Sequence, residues 1–246
     1  MKKLFFAILL LFSISSFAQN EVILHDAGAR QVPLNGPFNA VSVATGIELI
    51  LVQSNDNKLA ISVTDEKYLK HLVTKVENGE LKIYYDYKNL DGIFGKNNRV
   101  KAYVSVASLK RLKGSSGARI FMVNVFNEES LFIDLSSGAK MEAKLKVSNL
   151  AIDVSSGAKL EINGKSGMAD LSASSGAKID GSDLTVNDCK AKASSGGKIS
   201  IAVEKSLDGK ASSGGKIEYN GGATQINAET SSGGKVEKSK SIITKA

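Results

Sequence analysis

Three sets of side chains in this sequence could do chemistry as isolated sites. Asp134 and Asp153 stand 19 residues apart, each followed by one apolar residue and then Ser-Ser-Gly. Two carboxylates on one outer face are the minimum that glycoside cleavage needs, one as acid and one as base or nucleophile. Ser172 and then Lys192 continue the same column, so the expectation is a solvated surface pair rather than a catalytic or calcium site. His25 and His71 are the only histidines and lie far apart with no cysteine beside them; ordinary surface histidines, not metal ligands, are expected. The paired serines suggest a nucleophile, but they recur seven times, and a catalytic serine needs one base rather than a period. Stacked serines exchanging hydrogen bonds at a corner are expected instead. The solenoid repeat that binds calcium places an Asp at a fixed offset after paired glycines, and Ser-Ser-Gly-Ala-Lys has none. No catalytic residue, metal or cofactor is therefore expected.

One row remains as a candidate binding feature: Arg119, Lys140, Lys159, Lys178, Lys198, Lys216 and Lys235, each two residues after the glycine of a Ser-Ser-Gly. Like charges spaced by one strand repel. Two residues further on stand Glu142, Glu161, Asp180, Glu218 and Glu237, which alternation puts on the same side. A solvated, self-neutralising face is the expected reading. The competing one is a ladder facing a linear polyanion such as an acidic envelope polymer.

The elements that position these rows follow from the repeat. Ser-Ser-Gly-(Ala/Gly)-(Lys/Arg) begins at Ser115, Ser136, Ser155, Ser174, Ser194, Ser212 and Ser231, at intervals of 21, 19, 19, 20, 18 and 19 residues. After each basic residue stands an apolar one: Ile120, Met141, Leu160, Ile179, Ile199, Ile217 and Val236. Before the serines, Leu131, Ile133 and Leu135 alternate with polar or outward residues, as do Leu150, Ile152 and Val154. Period-two alternation on both sides of a glycine corner signifies strands with one buried face. No helical spacing survives, and glycine recurs in mid-unit. A unit of about 19 residues cannot bury its own edge, but coils stacked roughly 4.8 Å apart can. The expected fold is all-β, a parallel β-helix or solenoid. We expect the right-handed form, because the hexapeptide repeat of left-handed solenoids is absent.

Compartment and class come from the ends and the composition. Lys2-Lys3, the apolar run Leu4–Phe12 and Ser16-Phe17-Ala18 have the layout of a cleavable secretory signal with the cut after Ala18. The run is far below the roughly 20 residues that span a bilayer, no later stretch is apolar enough to cross one, and no cysteine follows for a lipid anchor. An exported protein is expected, in the periplasm, on the outer-membrane surface or secreted. Losing Lys2 and Lys3 takes the 32 basic residues to 30 against 25 acids, so the net charge falls from +7 to +5. That mild excess, without a clustered patch and a binding motif, excludes nucleic acid as the expected partner. A lone cysteine, Cys189, excludes an internal disulfide framework.

The front of the mature chain, 38–106, is β-rich without the repeat. Val41, Val43, Ile47, Leu49 and Leu51 read as one alternating strand, and Leu59, Ile61 and Val63 as the next. Asn78-Gly79 between Val73–Val76 and Leu81–Tyr85 predicts a two-residue hairpin. A helical turn or two over Asp65–Leu72 and a loop over Lys88–Arg99 precede a strand through Val100, Ala102, Val104 and Val106. Phe38 to Tyr85, headed by Val41-Ser42-Val43-Ala44-Thr45-Gly46-Ile47-Glu48, resembles the putative auto-transporter adhesin head GIN domain family, a family of unknown function. Val104-Ser105-Val106-Ala107-Ser108-Leu109-Lys110 and the Ser-Ser-Gly ladder resemble it too, over about Phe38 to Val236, with Glu48 where the family has Asn. The resemblance implies a right-handed β-helix and an exported location. The chain is divided accordingly into a signal peptide (1–18), a lead-in (19–37), a β-rich front that caps or widens the first coils (38–112), the solenoid (113–238) and a tail (239–246). The expected function is that of an exported, noncatalytic cell-envelope or surface protein with an adhesin-like binding or structural role, its candidate partner an envelope or host polysaccharide. The alternative is a carbohydrate-active enzyme, a polysaccharide lyase or hydrolase on a β-helix.

Overall fold

The corner is the unit of construction. In the computed structural model, which describes Asp26, residues 28–86 and residues 100–239, Ser137 and Gly138 both have positive φ, 50° and 73°. The amide of Ala139 donates to the carbonyl of Ser136 at 3.0 Å, which closes a four-residue turn of the I′ kind. The same pair of positive angles recurs at all seven Ser-Ser-Gly corners. Glycine accepts this conformation freely, whereas serine does so at a steric cost. Among the described residues, no side-chain hydrogen bond joins the corner serines, contrary to expectation. The corners are tied through their backbones instead: the amide of Gly138 donates to the carbonyl of Ser156 in the next coil at 3.1 Å, and Gly157 does the same to Ser175.

The front has a more involved path. Its strands are β1 (Arg30–Gln31), β2 (Ala40–Val43), β3 (Glu48–Gln53), β4 (Lys58–Val63), β5 (Leu72–Glu77), β6 (Glu80–Tyr85), β7 (Val100–Val106), β8 (Arg111–Gly114) and β9 (Arg119–Met122), with a 3₁₀ helix over Glu66–His71 before β5. Alternation from Val41 to Leu51 reads as one strand, but the structure breaks it at Thr45 and Gly46, whose φ values are 61° and 72°. Ala44-Thr45-Gly46-Ile47 is thus an eighth corner with a degenerate sequence, and Gly46 donates to the carbonyl of Ser116 in the next coil. β2 and β3 lie between β6 and β7 on one side and β8 and β9 on the other, all parallel. Beyond them, β5 pairs antiparallel with β6 across the Asn78-Gly79 hairpin, β4 pairs antiparallel with β7, and β1 covers β4. This end of the solenoid is closed by strands running the opposite way, which removes the exposed parallel edge.

From there each coil adds one layer. β10 (Phe126–Leu135), β11 (Lys140–Val154), β12 (Lys159–Ala173), β13 (Lys178–Ala193) and β14 (Lys198–Ala211) follow in parallel register. β15 (Lys216–Asn220) and β16 (Gln225–Thr230) divide the next coil, and β17 (Lys235–Lys238) is the last described strand. Within β11 the inward residues are Met141, Ala143, Leu145 and Val147, then Leu150, Ile152 and Val154. The phase shifts because Ser148 and Asn149 both face outward, and there the coil bends. One core cluster runs from Phe38 to Ile217, each fully buried Leu or Ile stabilising by about 1.5–3 kcal/mol relative to exposure.

The core thins along the axis. In one inward column Ile133, Ile152, Leu171, Ala191 and Gly209 stand in register. Over the same stretch the fourth corner residue changes from Ala to Gly at Gly197, Gly215 and Gly234. A Cβ on Gly215 would lie 2.2 Å from the Ala193 carbonyl oxygen, so the later corners approach the preceding coil too closely for alanine. The expected signal segment, His25, the whole Lys88–Arg99 loop and the tail beyond Ser239 lie outside the described residues.

Candidate functional site

The basic row is aligned as its spacing predicts. Arg119, Lys140, Lys159, Lys178, Lys198, Lys216 and Lys235 stand in one register line across successive coils. Glu142, Glu161, Asp180, Ser200, Glu218 and Glu237 form the parallel line two residues on. Ion pairs join the lines unevenly: Lys178 to Asp180 at 2.7 Å, and Lys216 to both Glu218 and Glu237 at 2.7 Å. The Lys178 ammonium, with help from the Ser182 hydroxyl, holds the Asp180 carboxyl below the ordinary carboxylate range. Glu218 and Glu237 hold Lys216 above the ordinary lysine range. Over its first four coils, from Arg119 to Asp180, the face forms a depression of about 440 Å³, with Phe121 at its N-terminal end. Its basic and acidic groups are interleaved.

Asp134 and Asp153 are register neighbours, but Lys113 precedes them in the column and lies 3.5 Å from Asp134. The column continues through Ser172, Lys192, Lys210 and Glu229, with Lys210 and Glu229 paired at 2.9 Å. It is a line of mixed charge. His71 ends the 3₁₀ helix, and among the described residues no three His, Cys, Asp or Glu side chains are grouped so as to hold a metal ion.

A larger concavity lies elsewhere, on the bend of the coils, and sequence reasoning missed it. It is a groove of about 830 Å³ running along the axis. Each of six coils contributes three consecutive residues. The middle one forms the floor: Leu131, Leu150, Ala169, Cys189, Leu207 and Ile226. One rim carries Ser130, Asn149, Met168, Asp188, Ser206 and Gln225; the other carries Phe132, Ala151, Asp170, Lys190, Asp208 and Asn227. Ile226, expected inward by alternation, is 38% exposed, whereas from Leu131 to Leu207 the floor column is legible as inward-facing from alternation alone. The concavity is not, because it arises from the two outward residues in succession, Ser148-Asn149 in one coil and Lys205-Ser206 in another, that bend the strand just before the floor.

The groove combines an apolar base with a mixed polar rim. Met168 projects into it with 57% of its surface exposed, while the floor residues Leu131 to Leu207 are almost fully buried. Asp188 accepts a hydrogen bond from Ser206 at 2.6 Å, and Asp208 accepts one from Asn227 at 3.2 Å. At the N-terminal end the Arg111 guanidinium lies 4.8 Å from the centre of the Phe132 ring. Cys189, at the floor, is buried, and burial together with the nearby Asp170 charge pushes its thiol up to about 12. It is a packing residue there, not a nucleophile.

Comparison with known proteins supports the same architecture. No curated protein matches the chain. A solved putative adhesin from Bacteroides fragilis is 17% identical, with a TM-score of 0.76 over 86% of this chain and 96% of that one. A putative lipid binding protein from Parabacteroides distasonis is 20% identical, with a TM-score of 0.67 over 86% and 96%. A putative adhesin from Parabacteroides merdae is 18% identical, with a TM-score of 0.67 over 86% and 95%. At these identities the likeness is one of fold. The family model described as "Putative auto-transporter adhesin, head GIN domain" matches residues 37–223, and the chain belongs to that family.

Proposed function

We propose that this protein is an exported, noncatalytic binding protein of the cell envelope or surface that holds an elongated ligand along its solenoid axis. The observation that carries the reading is the axial groove, in which six coils present the same three positions in line. A site built by repetition suits a partner that is itself extended. Export rests on the charged, apolar and small-residue layout of residues 1–18. Among the described residues no helix is long and apolar enough to cross a membrane.

Two measurements test this. Mass spectrometry of the protein from its native host should find Gln19 at the N-terminus, and protease treatment of intact cells separates surface from periplasm. Binding of the purified protein to envelope preparations should be lost on Met168→Arg, which fills the groove without touching the core. The carbohydrate-active alternative, a lyase or hydrolase, would be supported instead if a bound polymer were shortened, releasing new reducing ends or unsaturated sugars.

A further inference from the structure

Resting on that reading of the groove, we infer that its ligand is a neutral, linear polysaccharide, lying across the coils with its apolar sugar faces on Met168, Phe132 and Ala151. Three features of the groove carry this. The first is geometry: six parallel coils at about 4.8 Å give a track of roughly 24 Å, so the ligand repeats along a line. The second is charge. Asp170 and Asp208 flank Lys190 on one rim and Asp188 stands on the other, and Lys110 at the N-terminal end is already paired with Glu128 at 3.2 Å. A polyanion would meet three carboxylates there, and like charges brought together across an interface repel. The third is the distribution of polar atoms. An acyl chain laid in the groove would strip water from carboxylates, ammonium groups and amides while offering them no hydrogen bond. Sugar hydroxyls both donate and accept, so they satisfy Asp, Lys, Asn and Gln side chains alike, and their C–H faces cover Met168.

The contrast with the lysine ladder is direct. That row sets a line of cations beside a line of anions, and its carboxylates hold part of its lysines. The groove is the larger and the more apolar of the two, which points to binding by contact and hydrogen bonding rather than by long-range attraction.

The methionines provide a local reporter. Met122 and Met141 are 5% and 3% exposed, whereas Met168 is 57% exposed in the groove. The protein, labelled with ¹³C at the methionine methyls, would be titrated with a soluble neutral glucan, mannan and arabinan, with polygalacturonate as the acidic polymer, and with oleate as the lipid. The expected result is that at least one neutral polymer shifts the Met168 methyl and leaves Met122 and Met141 in place, with affinity unchanged between low and high salt. Binding measured by calorimetry should then weaken about tenfold or more on Ala151→Arg, as when one well-packed anchor is lost, and stay unchanged on combined replacement of Lys159, Lys178 and Lys198 by Gln. If polygalacturonate or oleate alone shifts Met168, the groove is a binding site but the neutral-polysaccharide assignment is overturned. If a polymer binds without shifting Met168, or nothing binds, both the assignment and the groove reading are overturned.

Discussion

The backbone amide of Gly157 donates to the carbonyl of Ser175 in the following coil at 3.1 Å, and this link between two corners repeats along the solenoid. It needs Ser156 and Gly157 both at positive φ, 50° and 71°. The corner is therefore a joint between coils, and its residue types are fixed by backbone angle and not by side-chain chemistry.

Changing those angles' occupants should be measurable. A Cβ at Gly157 meets nothing within 4 Å, so Gly157→Ala isolates the left-handed penalty and should destabilise by about 1–2 kcal/mol. Ser156→Gly removes the same penalty while adding disorder to the unfolded chain, and should leave stability unchanged or raise it by up to about 1 kcal/mol. Denaturant unfolding of the two variants checks both signs.

Gly215→Ala should be worse tolerated than its position in the repeat suggests, because Ala158 and Ala177 occupy the equivalent site without strain. The added methyl would sit 2.2 Å from the Ala193 carbonyl oxygen, forcing a backbone shift that costs about 1–3 kcal/mol. Urea midpoints compared with wild type would show it. An unchanged midpoint would mean that the later coils can open to the width of the earlier ones.

Cys189 should react slowly. It is 2% exposed beneath the groove, and its thiol is pushed up to about 12. At pH 8 a thiol reagent should modify it rapidly only after denaturation, and Leu150→Ala, two coils away in the same column, should cost about 2–5 kcal/mol by leaving a cavity. Labelling of the native protein as fast as of the unfolded chain would contradict the inward register of that column.

The triple replacement of Lys159, Lys178 and Lys198 by Gln should change stability little, since exposed ion pairs contribute about 0–1 kcal/mol each. Its clearest effect should be on Asp180, whose carboxyl is held low chiefly by Lys178. A carboxyl with a depressed folded pKa adds stability above its ordinary range, near pH 4. That stability is lost as pH falls through the folded value. In the variant the Asp180 carboxyl should titrate closer to the ordinary range, visible by NMR, and the wild type's small advantage should vanish under acid.

The repeat made the coils legible from sequence, because a corner with fixed residue types at fixed intervals leaves a single register in which Met141, Leu160, Ile179 and Ile199 all face inward. The Asn78-Gly79 hairpin was legible for the same reason: both of its angles call for those residues. Two features were hidden. Thr45-Gly46 is a corner whose neighbours, Ala44 and Ile47, lack the serine and the Ala or Gly that mark the others. The groove depends on where each strand bends, and Ser148-Asn149, Gly167-Met168 and Lys205-Ser206 share no residue type that would mark it. Outward pairs of any composition produce the same bend.

The placing of β2 and β3 between β6–β7 and β8–β9 constrains the order of assembly. As the chain emerges from its N-terminus, β2 and β3 appear early, yet their first flank is complete only at Val106, with β7, and their second only at Met122, with β9. The opening coil is therefore left waiting, at least one of its apolar edges uncovered, while some 70 further residues are made. Contacts so distant in sequence form slowly. Once β9 has docked, every later coil has a finished template behind it and needs only its own residues to close. Assembly of this solenoid should thus have one slow step at its front, followed by rapid growth toward the C-terminus. A chain stopped before Met122 should fail to fold, whereas one stopped after the corner at Ser194 should keep a stable stump.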